Sequence, residues 1–431
     1  MLHFGWFVGH GFGVQGWGTP GYGLGYDWKK PALYQDAVRA FEQCGLDLFI
    51  IEDSLTVPDT YGGTAQVSLA HASFAPKHDP LALVPYLLSV TEHLGIVPTV
   101  SASFYPPFTA ARLLATLQHF SNGQLGWNVV TSGSDLAAQN YGLDQQIEHD
   151  LRYEKAEEFV DVVRRLWRSW EPDAVVEDVD AGVFADHAKV HAIHHEGEFF
   201  KVRGPLNTAP LPEEPVLVQA GASPRGKAFA GGHADVAIAL ARGAEGMKAY
   251  RDSIRNEAVK AGRDPDAVKV LFVFKPTIAG SKAEAEDLRA QRKELSQRDI
   301  DAQLNSMSYL SVIDFKQFDL DAPLPELTTN SNRGTLEHFT KAAPPGSTLR
   351  QILQARSGGA GDSIIGTVEE IADYLEDIGA KVGGDGFLFS GFVDPVTVHG
   401  VLDRLTPVLR RRALLRSSYG DGGFRQNLLG F

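Results

Sequence analysis

The chain has 431 residues, 43% of them hydrophobic, and a formal net charge of −14. That is ample for a full core, while the acidic balance argues against nucleic acid and anionic membrane surfaces as partners. A single cysteine, Cys44, excludes an internal disulfide and leads us to expect a reducing, cytoplasmic setting.

No apolar run approaches the ~20 residues a membrane helix needs, and the start lacks the basic-then-apolar pattern of a signal peptide. Taken in order, residues 2–8 read as a strand, followed by a Gly- and aromatic-rich loop over 9–28. Residues 31–44 read as a helix and 46–52 as a buried strand with Asp53 at its end. A polar segment over 54–78 leads to a helix opened by Asp79 and Pro80. Residues 96–104 form a third strand, 107–120 a helix, 125–130 a fourth strand, and a polar loop then leads to a long helix from about Glu148 to Trp170. Residues 171–215 break this rhythm with a predicted hairpin around Glu196-Gly197. Strands over 216–219, 236–240 and 268–278 then alternate with helices over 223–233, 245–261 and 282–295. Residues 296–366 are long, irregular and rich in Pro, Ser and Gly, a candidate lid. A capping box at Thr367 and Glu370 opens a helix, residues 386–389 form the last strand, and 397–415 the last long helix.

Some eight strands, each followed by a helix and apolar on both faces, predict a parallel sheet. A single closed (β/α)8 TIM barrel with insertions at about 54–78, 171–215 and 296–366 is favoured, with an open doubly wound sheet as the rival.

Gly11-Phe12-Gly13-Val14-Gln15-Gly16 matches the dinucleotide pattern G-x-G-x-x-G, but it runs into Trp17-Gly18-Thr19-Pro20-Gly21, which cannot open a helix. The better reading is an aromatic loop at the barrel mouth, with Phe7, Phe12 and Trp17 available to wall an apolar substrate; ordinary loop packing is the other. His187, His191, His194 and His195 lack the partners and the position of a metal site, and no metal is expected. No G-x-S-x-G elbow is present for a serine nucleophile.

In a barrel, chemistry sits at the C-terminal strand ends. Asp53, Thr99 and Asn128 fall there, and Gln219-Ala-Gly-Ala-Ser223-Pro-Arg-Gly226 reads as a strand, a tight turn and a helix start, a natural phosphate cradle. His149 and Tyr153, four apart, share one helix face and line a pocket or pack on a neighbouring helix.

Trp127-Asn-Val-Val-Thr-Ser132, Asn140-Tyr-Gly142, Glu148-His-Asp150 with Arg152-Tyr153, and Leu166-Trp167 with Ser169-Trp170 resemble the luciferase-like flavin-dependent monooxygenases. The nearest branch is that of the dibenzothiophene-sulfone, nitrilotriacetate and long-chain-alkane enzymes. The resemblance implies FMN lying across the strand ends. Its phosphate would be held by Ser223, His149 and Tyr153, and its ring would lie near Asp53 and Thr99, with Asn128 beside them. It further implies FMNH2 from a separate NAD(P)H-dependent flavin reductase, O2 and a small organic substrate, a flavin peroxide, and a homodimer or homotetramer. Relatives in this branch carry histidines in the first loop, where this chain offers His10 as a catalytic candidate. A deazaflavin-dependent oxidoreductase of the same fold, a dehydrogenase working without added flavin and a non-catalytic flavin carrier stand as alternatives.

Overall fold

The computed structural model describes residues 1–357 and 363–430. Eight strands close into a parallel barrel: β1 (His3–Val8), β2 (Leu48–Ile51), β3 (Gly95–Ser101), β4 (Gly126–Val130), β5 (Val216–Gln219), β6 (Val236–Ala239), β7 (Lys269–Ile278) and β8 (Gly386–Ser390). Each pairs with the next, and β8 pairs with both β7 and β1. The register His3↔Gly386 joins the two ends of the chain. Nearly every residue of these strands is buried, which is why they read as continuous apolar runs.

The outer ring is built by α1 (Ala32–Gln43), α2 (Pro80–Leu88), α3 (Pro107–His119), α4 (His149–Trp167), α5 (Pro224–His233), α6 (Gly243–Lys260), α7 (Val368–Val382) and α8 (Pro395–Arg411). Side chains pointing out of the barrel, such as Phe4, Trp6 and Phe49, pack on these helices. Those pointing in, among them Leu48, Val97, Val218 and Leu271, fill the interior. Phe424 and Leu428, from a short helix over Phe424–Leu429, complete that interior cluster at the N-terminal strand ends. A Cβ at Gly95 would come within 2.6 Å of the Phe424 ring, so glycine is what lets the plug seat. Beside it Asp47 is buried against Arg416 and accepts from the Phe4 N–H (2.9 Å). No described helix is long and apolar enough to cross a membrane.

The three insertions are more structured than their composition suggests. Within 54–78, Lys77–His78 forms a two-residue ribbon with Phe12–Gly13 of the glycine-rich segment. Residues 171–215 hold two short hairpins, Val175–Asp178 with Val183–Ala185 and His195–Glu196 with Lys201–Val202; residues 190–193 are not a strand. Residues 296–366 carry helices over Gln297–Ser311, Arg333–Thr340 and Leu349–Ser357 rather than an irregular chain. These enclose their own apolar cluster, including Ile300, Leu304, Phe315 and Phe339. The prolines, Pro323, Pro325, Pro344 and Pro345, all fall in the connections, and counted over the whole span they hid the helices. Ser363–Gly366 then extends the end of β7 in parallel. Residues 358–362 of this span lie outside the described residues.

Candidate active site

The C-terminal strand ends surround a cavity of about 410 Å³. Asp53, Thr99, Asn128, His149, Tyr153 and Ser223 all line it, as does Phe7. They meet because each ends or follows a barrel strand, or lies in the first turn of the helix after one, or at its cap. Thr99 and Asn128 are register partners on β3 and β4. The Asn128 amide donates to Thr99 Oγ1 (2.8 Å), which donates to the Ile51 carbonyl (2.7 Å). That chain orients Asn128 and leaves its Oδ1 with no hydrogen-bond partner among the described residues, although the residue is only 4% exposed. Gln219 Oε1, at the end of β5, is equally orphaned at 3% exposure. Buried acceptors are rarely left unpaired in a protein interior. Asn128 lines this cavity and Gln219 a second one beside it, and each orphaned acceptor points to a ligand group that donates.

One end of the cavity gathers groups that can bind an anion. Ser223 caps α5, its Oγ accepting from the Gly226 N–H (3.0 Å), and Pro224 occupies the first turn. The positive end of the helix dipole thus faces the cavity. The Tyr153 hydroxyl, buried between Ser223, Thr131 and Gln219, is held above the usual phenol range by that burial. A Cβ at Gly226 would sit 2.8 Å from the Tyr153 hydroxyl and 3.0 Å from Gly221 Cα, so the cradle depends on a bare backbone here. The His149 ring lies 5.3 Å from the Tyr153 ring, and its Nδ1 meets Asp150 Oδ1 at 2.6 Å. Burial, then Arg333 and Arg152, lower the His149 pKa against the pull of Asp150. Arg152 is buried and donates to the Ile147 and Asn330 carbonyls (2.8 Å each). Arg333, from the 296–366 insertion, donates to Glu148 Oε1 (3.1 Å).

The other end is acidic. Burial first, and then Glu52 and Asp79, push the Asp53 carboxyl up to about 7, against Lys77 and the Ser54 N–H (2.9 Å). Burial also raises Glu52, which pairs with Lys77 from the 54–78 insertion. This end continues into an adjoining cavity of about 320 Å³ walled by Leu55, Tyr105, Tyr309 and Leu310.

His10, Phe12 and Trp17 do not line either cavity. His10 follows β1, its ring 4.5 Å from that of Phe392, and burial with Lys77 and Lys275 nearby lowers it to about 4, so it is neutral at pH 7. Phe12 is pinned by the ribbon with Lys77–His78, and its ring turns into the core against Tyr34 (5.1 Å) and His78 (5.0 Å). Trp17 is 42% exposed, and its indole N–H donates to the Ala70 carbonyl (2.9 Å). Of the three aromatic residues read as a substrate wall, the fold brings only Phe7 to the cavity.

Sequence reasoning missed Lys77, Tyr309 and Arg333. The polar run Thr328-Thr-Asn-Ser-Asn-Arg333 between two helices was the available signal for the last. Gln219 lay inside the quoted motif without being singled out. His191 pairs with Glu171 (2.8 Å) and His195 with Glu158 (2.9 Å), and no group of three potential metal ligands occurs among the described residues.

A family profile described as luciferase-like monooxygenase matches residues 2–386. The dibenzothiophene-sulfone monooxygenase of Rhodococcus erythropolis is 36% identical over 411 residues, spanning 93% of this chain and 90% of that one. Component A of the nitrilotriacetate monooxygenase of Aminobacter aminovorans is 36% identical over 408 residues, spanning 92% and 89%. The crystal structure of riboflavin lyase with modified FMN and riboflavin superposes with a TM-score of 0.88 at 29% identity, covering 100% of this chain and 96% of that one.

Proposed function

The chain belongs to the luciferase-like monooxygenase family, and from that premise we propose that it is the FMNH2- and O2-dependent component of a two-component monooxygenase. It places one oxygen atom on a small organic substrate, apolar or aromatic in character. The observation that carries this is the strand-end cavity, with an anion cradle at one end and the orphaned, buried Asn128 Oδ1 on its wall. Those features suit FMN, which is a phosphate joined to a donor-rich ribityl chain and ring.

Reduced FMN, when bound, supplies the electrons that activate O2. The chain's own residues bind, orient and shield. Ser223, the Tyr153 hydroxyl, His149 and Arg333 hold the phosphate. Charge-assisted hydrogen bonds from these groups are the strong kind, and an anion beside His149 favours its protonated form. Asn128 Oδ1 accepts from a hydroxyl or N–H group along the cofactor. The Asp53 carboxyl, whose Oδ1 also accepts from the Ser54 N–H, is part protonated at neutral pH and can exchange its proton with the groups beside it. Tyr309, Ser331 and Asn332 bring the 296–366 insertion over the cavity, and as a lid it excludes water. A relative named as a component A supports a separate NAD(P)H-dependent flavin reductase as the second component.

Anaerobic titration with FMNH2, followed by O2 and substrate with isotopic label, tests the proposal. Ser223→Ala and Tyr153→Phe should each weaken FMNH2 binding roughly tenfold or more, the worth of a hydrogen bond to a charged group. Unchanged affinity in both would remove the phosphate site. Hydride transfer without O2 uptake would replace the oxygenase by a deazaflavin-type oxidoreductase.

A further inference from the structure

The two ends of the strand-end cavity carry opposite charge. One holds Arg152, Arg333 and the start of α5. The other runs into the adjoining lobe, whose lining includes Glu52 and Asp53 but neither lysine nor arginine. Lys77, its side chain 4% exposed, neutralises Glu52, so the uncompensated negative charge on this lobe is that of Asp53. Asp79 adds to the negative field at Asp53. The remaining walls are largely apolar or hydroxylic: Phe7, Leu55, Tyr105, Tyr309 and Leu310. Gln219 Oε1, buried and without a donor, opens on the same lobe and marks it as ligand space independently of the carboxylates.

An anionic substrate would have to be desolvated beside the ionised Asp53 carboxylate. At ~6 Å and an effective dielectric of about 20, one unit of like charge disfavours binding roughly a hundredfold. We infer that this lobe admits substrates that are uncharged or carry a cationic group and rejects carboxylate-bearing ones. The inference rests on the proposed flavin-dependent reading, which puts the phosphate at the basic end and the substrate at the acidic one.

The test uses the FMN-loaded protein at pH 8, where Asp53 is charged. Binding of diphenyl sulfone, its para-carboxylate and its para-aminomethyl derivative is followed by the bound-flavin spectrum. In parallel, quenching of bound-flavin fluorescence by iodide and by neutral acrylamide is measured relative to free FMN. The carboxylate should bind at least tenfold more weakly than the other two, and iodide should quench much less than acrylamide. Asp53→Asn should narrow both gaps. Leu55→Lys, which adds a cation without removing a carboxylate, should narrow them as well. Equal quenching by iodide and acrylamide would overturn the inference even if no sulfone binds. So would a carboxylate that binds as tightly as the neutral sulfone, or gaps unmoved in both variants. Absence of FMN binding in the unaltered protein would instead overturn the flavin reading, and this inference with it.

Discussion

Gly226→Ala separates the cradle's function from the stability of the helix that forms it. Gly226 lies in the first turn of α5, where alanine is the better helix former by about 1 kcal/mol. Its new Cβ would stand 2.8 Å from the Tyr153 hydroxyl, 3.0 Å from Gly221 Cα and 3.1 Å from Ser223 Oγ. Two of those atoms belong to the proposed phosphate site, so relief of the clash displaces the groups that bind. A displaced hydroxyl forfeits a charge-assisted hydrogen bond of about 1.5–3 kcal/mol, or roughly 10- to 150-fold in Kd. Fold stability should change little, because the propensity gain offsets the local strain. Anaerobic FMNH2 titration, paired with thermal melts of the unliganded protein, reads the two quantities separately. Undiminished flavin affinity at unchanged Tm would refute the reasoning, since the crowded atoms would then have no part in binding.

Asp53→Asn carries a pH signature. The folded-state pKa of about 7 lies above the ~3.9 of an unfolded aspartate. The native state therefore binds the extra proton, and this group's contribution to stability falls as pH rises from about 4 to 7. Burial is the largest cause of the shift; Glu52 and Asp79 add to it, and Lys77 and the Ser54 N–H oppose it. The variant should be more stable than the parent at pH 8 and similar to it at pH 4 in urea denaturation; a difference independent of pH would reject the assignment. At the opposite end of the barrel, Asp47→Ala removes the carboxylate paired with the buried Arg416 guanidinium, which keeps only neutral acceptors such as Asn427, and should cost about 3–5 kcal/mol. FMNH2 affinity, measured below the melting transition, should be unaffected, and a large loss of affinity would mean that the barrel floor and the site are coupled.

The barrel was legible because its signals are local. Strands such as Val216–Gln219 are apolar on both faces, and the caps at Asp79, Ser223 and Thr367 each act within three residues of themselves. That the six residues expected at the flavin line one cavity has a related reason: once the strands are located, their C-terminal ends converge on one rim. What escaped depends on contacts between distant segments. Lys77 neutralises Glu52 across 25 residues, and Arg333 reaches Glu148 across 185. Nothing near either residue announces those partners. Phe12 went astray for the same reason, since its direction is set by pairing with His78. In 296–366 the helical spacing of Ile300, Leu304 and Met307 was present, but the connections between the helices dominated the composition.

The pairing of β1 with β8 makes closure of this barrel a late event in folding. His3 finds its register partner at Gly386, so the first strand to be made must wait for almost the whole chain before its second edge is covered. At roughly 5–20 residues per second, synthesis of the intervening chain takes tens of seconds. Throughout that time one edge of β1 offers unpaired N–H and C=O groups to any passing strand. Loop-closure entropy adds to the delay, because contacts of such long range form only after nearer ones have paid for compaction. Any chain cut short before β8 leaves β1 and β7 as two open edges on an otherwise ordered sheet, a species suited to edge-to-edge aggregation.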